Sequence, residues 1–290
     1  MTTEITILSG KGGTGKTTLS AAFAYLLREK AIFADVDVDA PDLHLIFQPS
    51  ILDEEKLFIS KKVSRDESLC TQCDLCGEKC RFQAITATEI FYHKCEGCRL
   101  CTRICPENAL SLEQVLTAKL FTSTCRFGDF IHAEMMIGEG NSGRIVSAVR
   151  KQAAKIAEEK KHEFLLIDGS PGIGCPVIAS ITGANLVVLV TEPTLSGIHD
   201  IERVLDLTDH FHVPTVVIIN KYDINHENTT KIEQYCLENN IPLVGKIPFD
   251  IIVPKSINAQ KTIFEMPENK ISQAVTDIWH NIEKIVKKET

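Results

Sequence analysis

Gly10-Lys11-Gly12-Gly13-Thr14-Gly15-Lys16-Thr17 stands between a short apolar run, Glu4 to Leu8, and a helical pattern, Lys16 to Glu29. The octet satisfies G-x-x-x-x-G-K-[ST] in a strand, loop and helix setting, which is the context that gives the motif its meaning. Glycines let the backbone curl so that the N–H groups of Gly12, Gly13, Thr14 and Gly15 converge on phosphate oxygens. The helix that follows adds its positive end, with Thr17 and Thr18 in its first turn. Lys16 is expected to reach the β- and γ-phosphates, and Thr17 to ligate Mg²⁺.

Outward from this loop, short β-branched runs alternate with helical patterns: Ala31 to Asp35, Gly143 to Lys160, Phe164 to Asp168, Asn185 to Val190, Ile198 to Thr208, Thr215 to Asn220 and Lys231 to Asn239. This predicts an α/β fold with a doubly wound, mostly parallel sheet covered by helices on both faces. Lys119 to Cys125 and Phe130 to Met136 flank a turn at Arg126 to Asp129 and predict a hairpin at the sheet edge. Ile271, Val275, Ile278, Ile282 and Ile285 recur at helical spacing and predict a last helix packed on the core, with a membrane-surface helix ending in Lys287-Lys288 as the alternative.

Between about Leu57 and Leu112 the alternation fades and cysteines take over, which divides the chain into residues 1–56, an insert at 57–112, and residues 113–290. Cys70-x-x-Cys73-x-x-Cys76-x-x-x-Cys80 is followed by Cys95-x-x-Cys98-x-x-Cys101-x-x-x-Cys105-Pro106, an internal repeat. Both runs match bacterial two-cluster ferredoxins, in which three close thiolates hold one 4Fe-4S cubane and the fourth crosses to the other. Cys70, Cys73, Cys76 and Cys105 are expected to hold one cluster, and Cys95, Cys98, Cys101 and Cys80 the second. Zinc sites also use C-x-x-C pairs, but the third and fourth cysteines and the duplicated spacing suit cubanes better. Arg81, where a proline commonly follows the fourth cysteine, marks a local departure. Cys125, Cys175 and Cys236 stand apart and read as buried small hydrophobes.

Two acidic sites complete the phosphate end. Asp35-Val36-Asp37-Val38-Asp39 follows the second strand, with Asp37 the candidate for positioning the attacking water, and Phe164 to Asp168 is an apolar strand ending in a carboxylate that holds Mg²⁺ through water. Asn220-Lys221-Tyr222-Asp223 matches N-K-x-D, a guanine-reading pattern in GTPases.

The phosphate loop, with its early Lys11, resembles the deviant Walker A loop of the MinD, ParA, Mrp and nitrogenase iron-protein superfamily of P-loop NTPases. The whole chain is similar to members carrying an inserted ferredoxin-like α+β domain. That resemblance implies that Lys11 contacts the nucleotide of a partner subunit, that Asn220 contacts adenine, and that ATP rather than GTP is the substrate. It implies a homodimer, or a heterodimer with a paralogue, closed by ATP and reopened by hydrolysis. Cys175 lies where the nitrogenase iron protein places one of two bridging cysteines, but no second cysteine occurs in residues 138–143, which disfavours an inter-subunit cluster.

The implied function is ATP-dependent electron transfer to, or redox regulation of, an unidentified metallocluster or redox partner. Iron–sulfur cluster assembly of the Mrp type and MinD-like positioning are the alternatives. The formal net charge of −8 and scattered basic residues give no footprint for nucleic acid. With no basic leader, no apolar stretch near the roughly 20 residues that span a bilayer, and cysteines spaced for metal, a cytoplasmic protein is expected.

Overall fold

The computed structural model describes residues 2–140 and 142–289, with side chains through Lys287; Asn141, of the 138–143 segment, and the Lys288 side chain lie outside the described set. The strands are β1 (Thr3–Ser9), β2 (Ala31–Asp35), β3 (Ser50–Leu57), β4 (Ser60–Arg65), β5 (Leu110–Val115), β6 (Ala118–Cys125), β7 (Gly128–Met135), β8 (Phe164–Pro171), β9 (Leu186–Thr191), β10 (Thr215–Asn220) and β11 (Leu243–Ile247). The helices are α1 (Lys16–Leu27), α2 (Leu43–Phe47), α3 (Leu75–Lys79), α4 (Leu100–Ile104), α5 (Ser142–Lys160), α6 (Cys175–Ile181), α7 (Leu195–His210), α8 (His226–Glu238), α9 (Ile252–Asn258) and α10 (Lys270–Glu289).

Among the described residues one sheet runs β11-β10-β9-β1-β8-β2-β7-β6-β3, and its pairings from β11 to β7 are parallel. Side chains alternate across its two faces, as a period of two requires. Val188, Val190, Val216 and Ile218 face the core shared with α1 and α10, while Val187, Leu189, Val217 and Ile219 face that shared with α6, α7 and α8. Buried on both sides, these strands are nearly continuous in Val, Ile and Leu. β6 and β7 are sheet neighbours joined at Arg126-Phe127, as the hairpin reading expects.

α10 settles the C-terminal alternative. Ile271, Val275, Ile278 and Ile282 are buried, and Trp279 packs on Phe23 (ring centroids 5.1 Å) and Phe164 (5.5 Å). Its apolar stripe is therefore spent on the core. No helix of the described residues is long and apolar enough to cross a membrane.

The chain forms two compact units: Met1–Glu54, Leu120–Ala133 and Ser142–Thr290 make the first, Glu55–Lys119 and Glu134–Asn141 the second. The second contains the antiparallel pair β4 and β5, registered Ser60↔Val115 to Arg65↔Leu110, and the short helices α3 and α4. Its second segment starts at the end of β7, after both cysteine runs in sequence.

Candidate functional site

Gly15 lies in left-handed backbone (φ 93°) directly before α1, a conformation that costs an L-residue about 1–2 kcal/mol. No side chain caps α1, and its first turn carries no acid, so its leading N–H groups are open to an outside acceptor. Thr14 is 2 % exposed, and its Oγ1 is buried without a partner. An uncapped helix start, a curled glycine loop and an orphaned hydroxyl fit a phosphate chain. Gly12 and Gly13 are exposed on the loop, and Thr18 is half-buried in the first helical turn.

β2 and β8 are parallel neighbours in register Asp35↔Asp168, so both carboxylates emerge at the same edge, beside the loop. Lys16 Nζ lies 3.1 Å from Asp168 Oδ1 and 3.7 Å from Asp37 Oδ2. Thr17 Oγ1 donates to Asp168 Oδ2 (2.8 Å) and Ser20 Oγ to Asp168 Oδ1 (2.7 Å). Ser20 was not a candidate on sequence; its only signal is its i+4 position from Lys16 on the same helix face. Asp35 accepts from the N–H groups of Asp37 (3.0 Å) and Leu43 (3.2 Å), tying the acidic loop to α2.

Three carboxylates thus surround one buried ammonium. Burial opposes the Lys16 charge, but Asp168, Asp35 and Asp37 outweigh it and raise its pKa. Burial, then Asp168, raises the Asp35 carboxyl well above the carboxylate range. Burial also lifts Asp37 to about 6, with Lys16 opposing. The site therefore gathers more buried carboxylate than cation, which suits a divalent cation between Thr17 and Asp168.

Asn220 Nδ2 donates to Thr14 O (2.7 Å) and sits where a Gly15 Cβ would fall, 2.4 Å away. Lys221 Nζ reaches Gly13 O (3.2 Å) and Glu192 Oε2 (3.2 Å). The Asp223 carboxylate accepts from Phe249 N (2.7 Å), so one of its oxygens is committed to the loop after β11. Lys11 Nζ is held by Glu192 Oε1 (2.6 Å), Thr194 Oγ1 (3.1 Å) and Ser196 Oγ (3.0 Å) at the start of α7. Glu192 thereby joins Lys11 of the phosphate loop to Lys221 after β10, both half-buried. No sequence motif marks it beyond its place directly after β9.

The cysteine unit has an internal symmetry visible in its backbone. Left-handed residues recur at 72 and 97, 74 and 99, 83 and 108, each pair 25 apart. α3 and α4 repeat with the same offset, as do the bonds Ala84 N–H to Cys80 Sγ (3.3 Å) and Ala109 N–H to Cys105 Sγ (3.3 Å). Asp66 N–H to Ala109 O and Phe91 N–H to Ala84 O, both 2.8 Å, repeat it again. Two cavities result. One is lined by Cys70, Cys73, Cys76 and Cys105, the other by Cys80, Cys95, Cys98 and Cys101 with Cys76 on its wall. Among the described residues no three His, Cys, Asp or Glu side chains converge as for a single metal ion. A cubane instead gives each thiolate its own iron, so its ligands line a cavity rather than meet at a point. The cavities and their N–H···S bonds fit that donor set.

Of the remaining cysteines, Cys236 is buried and Cys125 half-buried against the core. Cys175 corrects the expectation of a buried hydrophobe: it opens α6 on the solvent side and is exposed.

A family model described as the CobQ/CobB/MinD/ParA nucleotide binding domain matches residues 5–263. An uncharacterised protein of Methanocaldococcus jannaschii is 30 % identical over 287 residues, covering 98 % of this chain and 97 % of that one. A second uncharacterised protein of the same organism is 25 % identical over 229 residues, 76 % of this chain and 81 % of that one. Among solved structures, the septum site-determining protein MinD of Pyrococcus horikoshii, complexed with Mg-ADP, aligns with a TM-score of 0.62 at 19 % identity, covering 100 % of this chain and 99 % of that one.

Proposed function

The chain belongs to the CobQ/CobB/MinD/ParA nucleotide-binding family and is an ATPase of it, and on that premise we propose that it couples ATP turnover to electron transfer through two 4Fe-4S clusters. The observation that carries the redox half is the crossed pairing of cysteines, 70/73/76/105 and 80/95/98/101, each set lining its own cavity.

In this reading Lys16 places its charge on the transferring phosphoryl group, and Thr17 with Asp168 would hold Mg²⁺, which neutralises charge developing on the phosphate oxygens. Asp37, 3.7 Å from Lys16, orients the attacking water and accepts its proton at Oδ. Nucleotide recruits Lys16 and Thr17 away from their carboxylate partners. The charge freed at Asp37 and Asp168 is then the local signal of nucleotide state. Asn220, already on Thr14 O, marks the base end, and Asp223, held by Phe249 N–H, leaves guanine a weaker reader, so ATP is the substrate. Lys11 leaves Glu192 to meet a nucleotide across a dimer, of two like chains or of paralogues. The clusters would supply one-electron chemistry to a redox protein in a reducing cytoplasm.

The test is anaerobic isolation with metal and sulfide analysis, electron paramagnetic resonance after reduction, and turnover of ATP against GTP. About eight iron atoms per chain, two interacting reduced clusters and a preference for ATP are expected. Stoichiometric zinc, or no iron after anaerobic reconstitution, would sink the redox reading; faster GTP turnover would sink the base assignment.

A MinD-like positioning ATPase is the second reading, favoured by the family match and the MinD fold. Because the apolar stripe of α10 is buried, a surface other than that stripe would have to meet its target. ATP-dependent sedimentation with liposomes that survives loss of the clusters would favour it. Cluster delivery of the Mrp type is less suited to two complete ligand sets, and transfer into an apo-acceptor tests it.

A further inference from the structure

The 25-residue symmetry of the cysteine unit breaks at one buried charge. Position 65, paired with Leu110 in β4 and β5, has its twin at position 90, paired with Ile85. One half places Arg65 there and the other Ile90. The Arg65 side chain is 2 % exposed and lines the cavity of Cys70, Cys73, Cys76 and Cys105. Its Nη1 donates to Ala87 O (2.7 Å) and its Nη2 to Thr86 O, while Nε is buried with no partner. The acid paired with it, Glu67, is 3.9 Å away and 70 % exposed. Neutral carbonyls and a distant solvated carboxylate do not compensate the desolvation of a buried guanidinium.

Resting on the two-cluster reading above, we propose that Arg65 is a potential-setting group: its charge and orphaned Nε–H stabilise the added electron on the Cys70/Cys73/Cys76/Cys105 cluster. The two clusters are then unequal carriers. Reduction adds one negative charge to a cluster already anionic, so a fixed cation beside it raises the potential, and a hydrogen bond to sulfur acts in the same sense. Ile90 at the symmetric position supplies neither, and the cations that line the other cavity, Lys79, Arg81 and Arg99, are exposed, so solvent screens them as it does not screen Arg65. The first electron entering from a reductant rests at the Cys70 set, and the Cys95 set is the stronger donor.

The experiment is a potentiometric titration of the reconstituted full chain, followed by electron paramagnetic resonance, on wild type, Arg65→Met and Arg65→Lys, with Cys70→Ala and Cys98→Ala assigning the two signals. In wild type the Cys70 set is expected to be the more positive. Arg65→Met lowers its reduced-to-oxidised ratio at fixed poise at least tenfold, about 59 mV for a one-electron couple, and leaves the other cluster unmoved. Arg65→Lys retains most of the wild-type value. Should Arg65→Met fail to hold iron, the wild-type pair decides, since equal potentials or a more negative Cys70 set overturn the proposal. Two intact clusters whose potentials do not respond, or shift together, also overturn it while leaving the two-cluster reading standing. Absence of iron in wild type removes both.

Discussion

Replacing Lys16 with alanine separates what the lysine does for nucleotide from what it does for the fold. Its ammonium is buried, 3.1 Å from an Asp168 carboxylate that is itself only 1 % exposed, with Asp35 and Asp37 close behind. Removing one partner of a buried pair typically costs about 3–5 kcal/mol, because the remaining charge stays desolvated. Protonation of Asp35, already favoured by burial and by Asp168, absorbs part of this, so about 3 kcal/mol is expected at pH 8. That is roughly 6–12 °C in Tm for a domain of this size. The sign of the pH dependence follows from linkage. Without Lys16 the folded Asp35 and Asp37 carboxyls lie further above their unfolded values, so the folded variant binds more protons than the unfolded chain. Its deficit relative to wild type is larger at pH 8 than at pH 5 and shrinks on acidification. The assay is thermal unfolding of nucleotide-free protein at pH 5 to 8, run with ATP turnover and iron content. Turnover is expected to vanish while cluster absorbance remains. A Tm equal to wild type at pH 8, or a deficit that grows on acidification, would refute the electrostatic account; loss of the clusters would refute the separateness of the two sites.

Asp37→Asn should cut ATP turnover by at least about 100-fold, the low end of what a positioned base contributes, with nucleotide binding retained. In wild type, kcat/KM should fall below pH 6 as Asp37, lifted to about 6 by burial, takes up its proton; an acid limb set near pH 4 would contradict this. Gly15→Ala forces a Cβ into left-handed backbone and against Asn220 Nδ2, breaking its bond to Thr14 O. A loss of about 2–3 kcal/mol from these two effects is expected in denaturant titration, together with weakened ATP binding, whereas unchanged affinity would show that the Asn220 contact is idle. His132, held down to about 4 by burial and then by His44, stacks on Phe130 (4.7 Å) and Phe121 (5.0 Å). Between pH 6.5 and 4 the unfolded chain binds the extra proton, so stability should fall on acidification through that window; His132→Phe should flatten this part of the curve.

Much of the first unit was legible because its signals are local. The octet at Gly10 to Thr17 lies between a strand and a helix in a stretch short enough for its own periodicity to specify both, and β8, β9 and β10 read as strands because burial on both faces leaves an unbroken apolar run. The family followed from the same residues. Other features depend on which strands become neighbours. The pairing of β2 with β8 brings Asp168 to Asp35, Asp37 and Lys16, although more than a hundred residues separate it from them in the chain. Glu192 reaches Lys11 only because β9 lies beside β1, and Asp223 turns to Phe249 because β11 follows β10 at the sheet edge. The spacing of the cysteines stated how many candidate ligands there are and how they repeat. Only the antiparallel pairings, β4 on β5 in one half and Ile85 with Ile90 in the other, placed a buried Arg65 at one cavity and an isoleucine at the symmetric position. Sequence periodicity records which face of an element is buried, because that preference acts residue by residue; partners across strands are chosen by the packing of the whole chain, and it is there that charge meets charge.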